Sequence, residues 1–154
     1  MGDFLVVDPT LCTGCRQCEL ACSYEHEGLY SPSLSRIRLV RFEHNSLSVP
    51  VACAYCERPL CEEVCPTGAM SHEPGKRYAV VLDEKCMGCK ECVHACPLGV
   101  VQMHPAKGVA MRCDLCKGDP ACVKACPTGA IKYEPLELAL QEKRRARVAG
   151  LNLG

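Results

Sequence analysis

Apolar residues in this chain come in short runs separated by turn-forming residues. Four runs read as strands: FLVV (4–7), YAVVL (78–82), VVQM (100–103) and AIKY (130–133). Each is brief and rich in β-branched or aromatic residues, which suits a pleated, half-buried surface. RIRLVRF (36–42) alternates charged and apolar side chains, the period of a strand with one face inward. EHNS (43–46) then predicts a turn before LSVPV (47–51), so the insert at 35–51 is expected to be a hairpin. Residues 135–149 predict a helix, with Pro135 at a first helical position, basic residues Lys143, Arg144, Arg145 and Arg147 toward the negative end of the dipole, and Gly150 as its stop. No apolar run approaches the roughly 18 residues that cross a bilayer.

Cysteine changes the picture. Sixteen of the 154 residues are Cys, and they fall into four groups of four: CTGCRQCELAC (12–22), CAYCERPLCEEVC (53–65), CMGCKECVHAC (86–96) and CDLCKGDPACVKAC (113–126). The strands and cysteine groups repeat as a unit, each group ending in a short helical segment followed by a turn. CPTGAM (65–70) and CPTGAI (126–131) are nearly identical, and CPLGVV (96–101) is a close variant, with Pro and Gly marking the turn. The spacing C-x2-C-x2-C-x3-C, ending in Cys-Pro, is the ligand pattern of bacterial ferredoxins. Consecutive sulfurs two residues apart reach neighbouring irons of one cube, while the fourth cysteine lies a helical turn on and points to a different cube. Groups therefore pair, each lending its last thiol. Groups one and three are compact, whereas groups two and four are widened at the middle gap. Spacing alone allows group one to pair with group two or with group four.

Competing uses of the thiols fit less well. Structural zinc sites join two C-x2-C knuckles across a longer loop, and three cysteines in C-x2-C-x2-C with a Cys-Pro ending do not follow that form. Disulfides belong to oxidising compartments. The N-terminus MGDFLVVDPT carries no basic segment followed by a long apolar stretch, so a cytoplasmic location is expected. Basic and acidic residues balance at 18 each, with no Trp and only two Phe. A nucleic-acid partner, which calls for a basic face or stacking aromatics, is not expected. Nor is a phosphate-binding loop or nucleophile elbow present.

Group two, with Pro59 inside it and Cys65-Pro66-Thr67-Gly68-Ala69 at its end, and group four, with CDLC followed by Pro120 and Cys122, resemble the second and fourth motifs of the iron–sulfur subunits of molybdenum and tungsten oxidoreductases. The dimethyl sulfoxide reductase, formate dehydrogenase and carbon monoxide dehydrogenase electron-transfer subunits belong to that family. The likeness covers roughly residues 3–133. It implies an α+β fold of two interleaved bacterial 2[4Fe–4S] ferredoxin-like modules over 1–133, with a helical tail at 134–154. It also implies that the outer groups pair and the inner groups pair. One cluster would be held by Cys12, Cys15, Cys18 and Cys126, and another by Cys113, Cys116, Cys122 and Cys22. Cys53, Cys56, Cys61 and Cys96 would hold a third, and Cys86, Cys89, Cys92 and Cys65 a fourth. Ser23 departs from the pattern, since the other three groups have Pro there, and a looser turn after Cys22 is expected.

The resemblance further implies a non-catalytic electron-transfer subunit with four [4Fe–4S] clusters. Its expected partners are a catalytic subunit with a tungsten or molybdenum pterin, preferably of the aldehyde oxidoreductase type, and a flavin subunit, a ferredoxin or a quinone-linked acceptor. A carbon monoxide dehydrogenase, formate dehydrogenase or hydrogenase complex is the alternative, and a redox-sensing regulator a remote one. Exposed terminal clusters would also allow self-association. Among residues near the thiols, His94 is read as a surface imidazole rather than a donor to a cluster. Tyr55 is read evenly as a water shield or as packing. Arg36, Arg38 and Arg41 are expected on a charged strand face, with a docking face as the lesser reading.

Overall fold

A computed structural model describes residues 3–72 and 78–149. In chain order the elements are β1 (Asp3–Val7), α1 (Gln17–Glu27), β2 (Arg38–Phe42), β3 (Leu47–Val51), α2 (Leu60–Glu63), β4 (Met70–His72), β5 (Ala79–Val81), α3 (Glu91–Ala95), β6 (Gln102–Met103), β7 (Ala110–Met111), α4 (Ala121–Lys124), β8 (Ile131–Pro135) and α5 (Leu136–Ala149). The strands form four antiparallel pairs: β1 with β8, β2 with β3, β4 with β5, and β6 with β7.

The first and last strands meet, from Asp3 opposite Pro135 to Val7 opposite Ile131. That pairing encloses the middle of the chain and brings cysteine group one beside group four. Helices α1 and α4 pack together accordingly, and α2 packs on α3. The result is two interleaved ferredoxin-like modules in an α+β fold, with α5 lying on β1 and β8. Large aliphatic side chains are few, so much of each core is sulfur. One core joins Cys18, Cys22 and Cys122 with Ile37 and Ile131. A second joins Cys61 and Cys92 with Met70, Val101 and Ala110. A third, between the modules, joins Cys53 and Cys113 with Tyr55, Tyr78, Val100 and Leu115.

β2 and β3 form the hairpin that the alternation predicts, but it begins at Arg38 rather than at 35, with Leu39 opposite Pro50 and Ser46 in the left-handed turn at φ +54°. Pro50 is tolerated because a two-stranded ribbon has a free edge. Two other expectations differ. The chain does not turn loosely after Cys22. Ser23 has a backbone N–H, which Pro66, Pro97 and Pro127 lack, so α1 runs on to Glu27 and stops at Gly28 in the left-handed conformation. The Ser23 side chain is fully buried, donates to the Leu20 carbonyl at 2.9 Å and accepts from the Ser31 N–H at 3.0 Å. Pro135 ends β8 rather than opening the helix, which begins at Leu136. The expected stop at Gly150 lies outside the described residues, as do the side chains of Lys143 and Arg147, while Arg144 and Arg145 are exposed.

Candidate metal centres

Each cysteine group starts with a loop of the same backbone shape. The third residue of every group has positive φ: Gly14 at +71°, Tyr55 at +49°, Gly88 at +73° and Leu115 at +56°. Glycine adopts this conformation freely. Tyr55 and Leu115 hold it against side-chain strain because both are buried in the core between the modules. At Gly88 a side chain is excluded outright, since a Cβ there would sit 2.8 Å from the Gly108 carbonyl oxygen.

These loops curl the first two thiols of a group around a cavity, and the helix after each loop brings in the third. The fourth thiol at each cavity comes from another group. Cys12, Cys15 and Cys18 line one cavity with Cys126. Cys53, Cys56 and Cys61 line another with Cys96, and Cys86, Cys89 and Cys92 line a third with Cys65. Cys22, on α1, packs in one core with Cys122 of α4, the third thiol of group four. Cys15, Cys56 and Cys89 are exposed, whereas Cys22, Cys113 and Cys122 are buried and Cys116 is half-buried.

Burial pushes the deep thiols up: Cys18 and Cys113 to about 12, Cys116 to about 11, with Cys122, Cys61 and Cys92 raised for the same reason. Such thiols are protonated near neutral pH, so taking up metal there releases protons. Cys65 and Cys126 go the other way. Burial pushes each up, but the N–H groups of Met70, Thr67 and Ala69 around Cys65, and of Ile131, Thr128 and Ala130 around Cys126, outweigh it together with the Thr67 and Thr128 hydroxyls. Each hydroxyl oxygen is 3.7 Å from its sulfur. The repeated Cys-Pro-Thr-Gly-Ala turn is thus a nest of backbone donors around the sulfur, which favours its thiolate form.

Further donors reach sulfur from elsewhere. Backbone N–H groups of Arg36 and Ala110 point at Cys22 and Cys86 at 3.3 and 3.4 Å. The Tyr55 hydroxyl lies 2.9 Å from the Cys113 sulfur. Burial, and then the neighbouring Cys113, push the Tyr55 hydroxyl well above its ordinary range, so it keeps its proton and has it to offer a metal-bound Cys113 thiolate. Arg112 is buried beside Cys53 and Cys61. Burial pulls its guanidinium down, and the charges of Cys53, Cys61 and Tyr55 more than reverse this.

Arg38 and Arg41 lie on β2 and Arg36 just before it, and all three have partners within the chain. Arg36 pairs with Asp114 at 3.5 Å, Arg38 donates to the carbonyls of Pro32 and Ser33 and to Gln102, and Arg41 donates to the Gly14 carbonyl. His94 is exposed on α3. The histidine near a thiol is instead His26, one turn beyond Cys22, whose Nδ1 lies 2.8 Å from the Cys22 carbonyl and whose Nε2 lies 2.9 Å from Asp114. His26, Arg112 and the bridging reach of Tyr55 carry weak sequence signals. His26 is four residues after a ligand on a helix, and Tyr55 stands where groups one and three have Gly. Arg112 is a lone charge between apolar Met111 and Cys113.

Four soft sulfur donors in apolar walls, with backbone N–H groups aimed at them, fit iron–sulfur clusters. Short helices and hairpins holding thiols crossed between groups define an iron–sulfur protein of the ferredoxin type. Residues 44–135 match the model of the 4Fe-4S dicluster domain, and residues 4–27 match a 4Fe-4S binding domain. The chain belongs to the 4Fe-4S dicluster domain family. It is 42% identical over 113 residues to the polyferredoxin-like subunit of aliphatic sulfonate oxidoreductase from Pyrococcus furiosus, covering 73% of this chain and 65% of that one. It is 34% identical over 136 residues to the electron transport protein HydN of Escherichia coli, covering 75% and 77%. Identity to one polypeptide of the anaerobic dimethyl sulfoxide reductase of Escherichia coli is 36% over 124 residues, covering 71% and 59%. The chain thus spans less than two thirds of the first and last of these relatives. Among solved structures, the active site complex BamBC of benzoyl coenzyme A reductase contains a similar chain. Identity is 26%, coverage is 97% of this chain and 91% of that one, and the TM-score is 0.51. Among the described residues no helix is long and apolar enough to cross a membrane.

Proposed function

We propose that this chain is a non-catalytic electron-transfer subunit with four [4Fe–4S] clusters. One is held by Cys12, Cys15, Cys18 and Cys126, one by Cys22, Cys113, Cys116 and Cys122, one by Cys53, Cys56, Cys61 and Cys96, and one by Cys65, Cys86, Cys89 and Cys92. The observation that carries the proposal is the lining of three separate cavities by three thiols of one group and one of another. When bound, each cluster supplies a one-electron couple whose potential follows from its ligands, burial and hydrogen bonds.

The chain's residues do the rest. The shared cores support a row of sites. Cys61, Cys65, Cys86, Cys92 and Cys96 pack in one core, Cys53, Cys96 and Cys113 in the next, and Cys18, Cys22, Cys122 and Cys126 in the last. This order supports passage from the set with Cys86, through those with Cys53 and Cys113, to the set with Cys12. Cys89 and Cys15, in the first and last sets of that row, are exposed, as is Cys56 in the second. Buried Cys113 and Cys122 suit an interior position, where apolar side chains exclude water.

The partner at one end is a catalytic subunit with a tungsten or molybdenum pterin, of the aldehyde oxidoreductase type. At the other end it is a flavin subunit or a ferredoxin. Supporting a catalytic partner, two relatives are named as parts of oxidoreductases, one acting on aliphatic sulfonates and one on dimethyl sulfoxide. Thiols committed to metal ligation suit a reducing compartment such as the cytoplasm. Isolation of the native complex under anaerobic conditions tests the proposal. A pterin with tungsten or molybdenum is expected in the companion subunit, and a complex with neither metal would refute that partner.

A further inference from the structure

Arg112 lies between β7 and Cys113, at the boundary of the two modules. It is only 3% exposed. Even so, its Nε and Nη1 have no hydrogen-bond partner among the described residues. A buried cation in that state is strongly unfavourable unless an opposite charge faces it. Two carboxylates, Asp83 and Asp114, line a cleft on one side of Arg112. Neither forms an ion pair with it, and Asp114 is already engaged by His26 at 2.9 Å and Arg36 at 3.5 Å. On its other side Arg112 lines the cavity ringed by Cys53, Cys56, Cys61 and Cys96. Those groups become negative when they ligate iron.

We infer that Arg112 is the built-in counter-charge of the cluster held by Cys53, Cys56, Cys61 and Cys96, and that it raises that cluster's reduction potential. The inference rests on the four-cluster assignment above. Adding one electron to that site adds one negative charge beside a guanidinium that is always protonated. Little water reaches this side chain to screen the interaction, so the reduced form gains more than the oxidised one. The consequence is directional. The site lies on the inner-module side of the boundary, and Arg112 favours an electron resting there over one passing on unaided.

The test uses the full chain, reconstituted anaerobically with iron and sulfide, and redox titration followed by EPR. Four proteins are compared: the unaltered chain, Arg112→Gln, Arg112→Lys and Cys61→Ala. Arg112→Gln is expected to keep its iron and to show one couple with about a tenfold lower ratio of reduced to oxidised form at fixed potential. For a single electron that equals a downward shift of about 59 mV. The shifted couple should be the one missing from Cys61→Ala, and Arg112→Lys, which keeps the charge, should recover most of the shift. Loss of that cluster from Arg112→Gln but not from Arg112→Lys would equally support a required positive charge. Full iron with every couple unmoved in Arg112→Gln overturns the inference, as does a shifted couple that persists in Cys61→Ala. Loss of the cluster from both Arg112 variants also overturns it, because shape rather than charge would then be the requirement. Fewer than four clusters in the unaltered chain is a separate result that refutes the assignment itself.

Discussion

The Tyr55 hydroxyl and the Cys113 sulfur are 2.9 Å apart although the residues belong to different cysteine groups. Tyr55 sits between Cys53 and Cys56 in one proposed ligand set, and Cys113 belongs to the next. A Cys113 that ligates iron has no proton left to give, so the protonated Tyr55 hydroxyl would be the donor of that contact, which favours the reduced form of the site it touches. Tyr55→Phe is therefore expected to lower the potential of the couple that depends on Cys113 while iron content stays unchanged. A hydrogen bond of this kind is worth about 1 kcal/mol. EPR-monitored titration of the two proteins reads the shift, and identical titration curves would show that Tyr55 only packs.

Crossed ligation makes a sharp genetic prediction. Cys65 ends group two but lines the cavity of Cys86, Cys89 and Cys92. Cys65→Ser is expected to impair the cluster on those three residues and to leave the one on Cys53, Cys56 and Cys61 intact. Comparing its spectrum with those of Cys89→Ala and Cys56→Ala assigns the damage. A match to Cys56→Ala would reverse the pairing.

Much of this is legible in the residues. Cysteine spacing marks every ligand, because two-residue gaps and Cys-Pro endings answer directly to the shape of a cube. The hairpin is legible from the alternation at 36–42. What stays hidden is long-range. Arg36, Arg38 and Arg41 read as a charged face, and only the folded chain shows their partners Asp114, Gln102 and the Gly14 carbonyl. The length of α1 turns on one N–H at Ser23, a local feature that reads as a loosened turn until the helix is seen to run through it. Pro135 fits both a strand end and a helix start, and pairing with Asp3 decides between them. Arg112 carries no repeat or motif, so its role emerges only from what surrounds it.

Backbone shape at the loops predicts unequal tolerance of added side chains. Gly88 and Gly99 both have positive φ, at +73° and +60°, but only a Cβ at Gly88 would strike a backbone atom, 2.8 Å away. Gly99→Ala should cost about 1–2 kcal/mol from conformation alone. Gly88→Ala should cost more and lower the iron content of the Cys86 set. Thermal loss of visible absorbance in the two variants checks the ranking, and equal midpoints would contradict it.

The end of α1 is tied to the turn after β6 by Glu27, whose carboxylate lies 2.7 Å from Lys107 and 3.3 Å from His104. Burial pushes this carboxyl up, but Lys107 and His104 outweigh it and hold it below the ordinary 4.5. A depressed carboxylate stabilises the fold fully above its unfolded value, and the benefit fades as pH falls through the folded one. Lys107 is half exposed, so the benefit is about 1 kcal/mol or less. Glu27→Gln should thus be less thermostable than the unaltered chain at pH 7, with the gap closing below about pH 4.5. Melting followed across that range tests it, and a gap that widens in acid would contradict the sign.

Native mass spectrometry of the anaerobically reconstituted chain counts the cubes directly. Sixteen cysteines are available, and four thiolates serve each cube. The expected mass is that of the polypeptide plus four Fe4S4 units, with no thiol left open to alkylation. A fully loaded sample that stops at two cubes, or that takes up zinc in their place, would contradict the central claim.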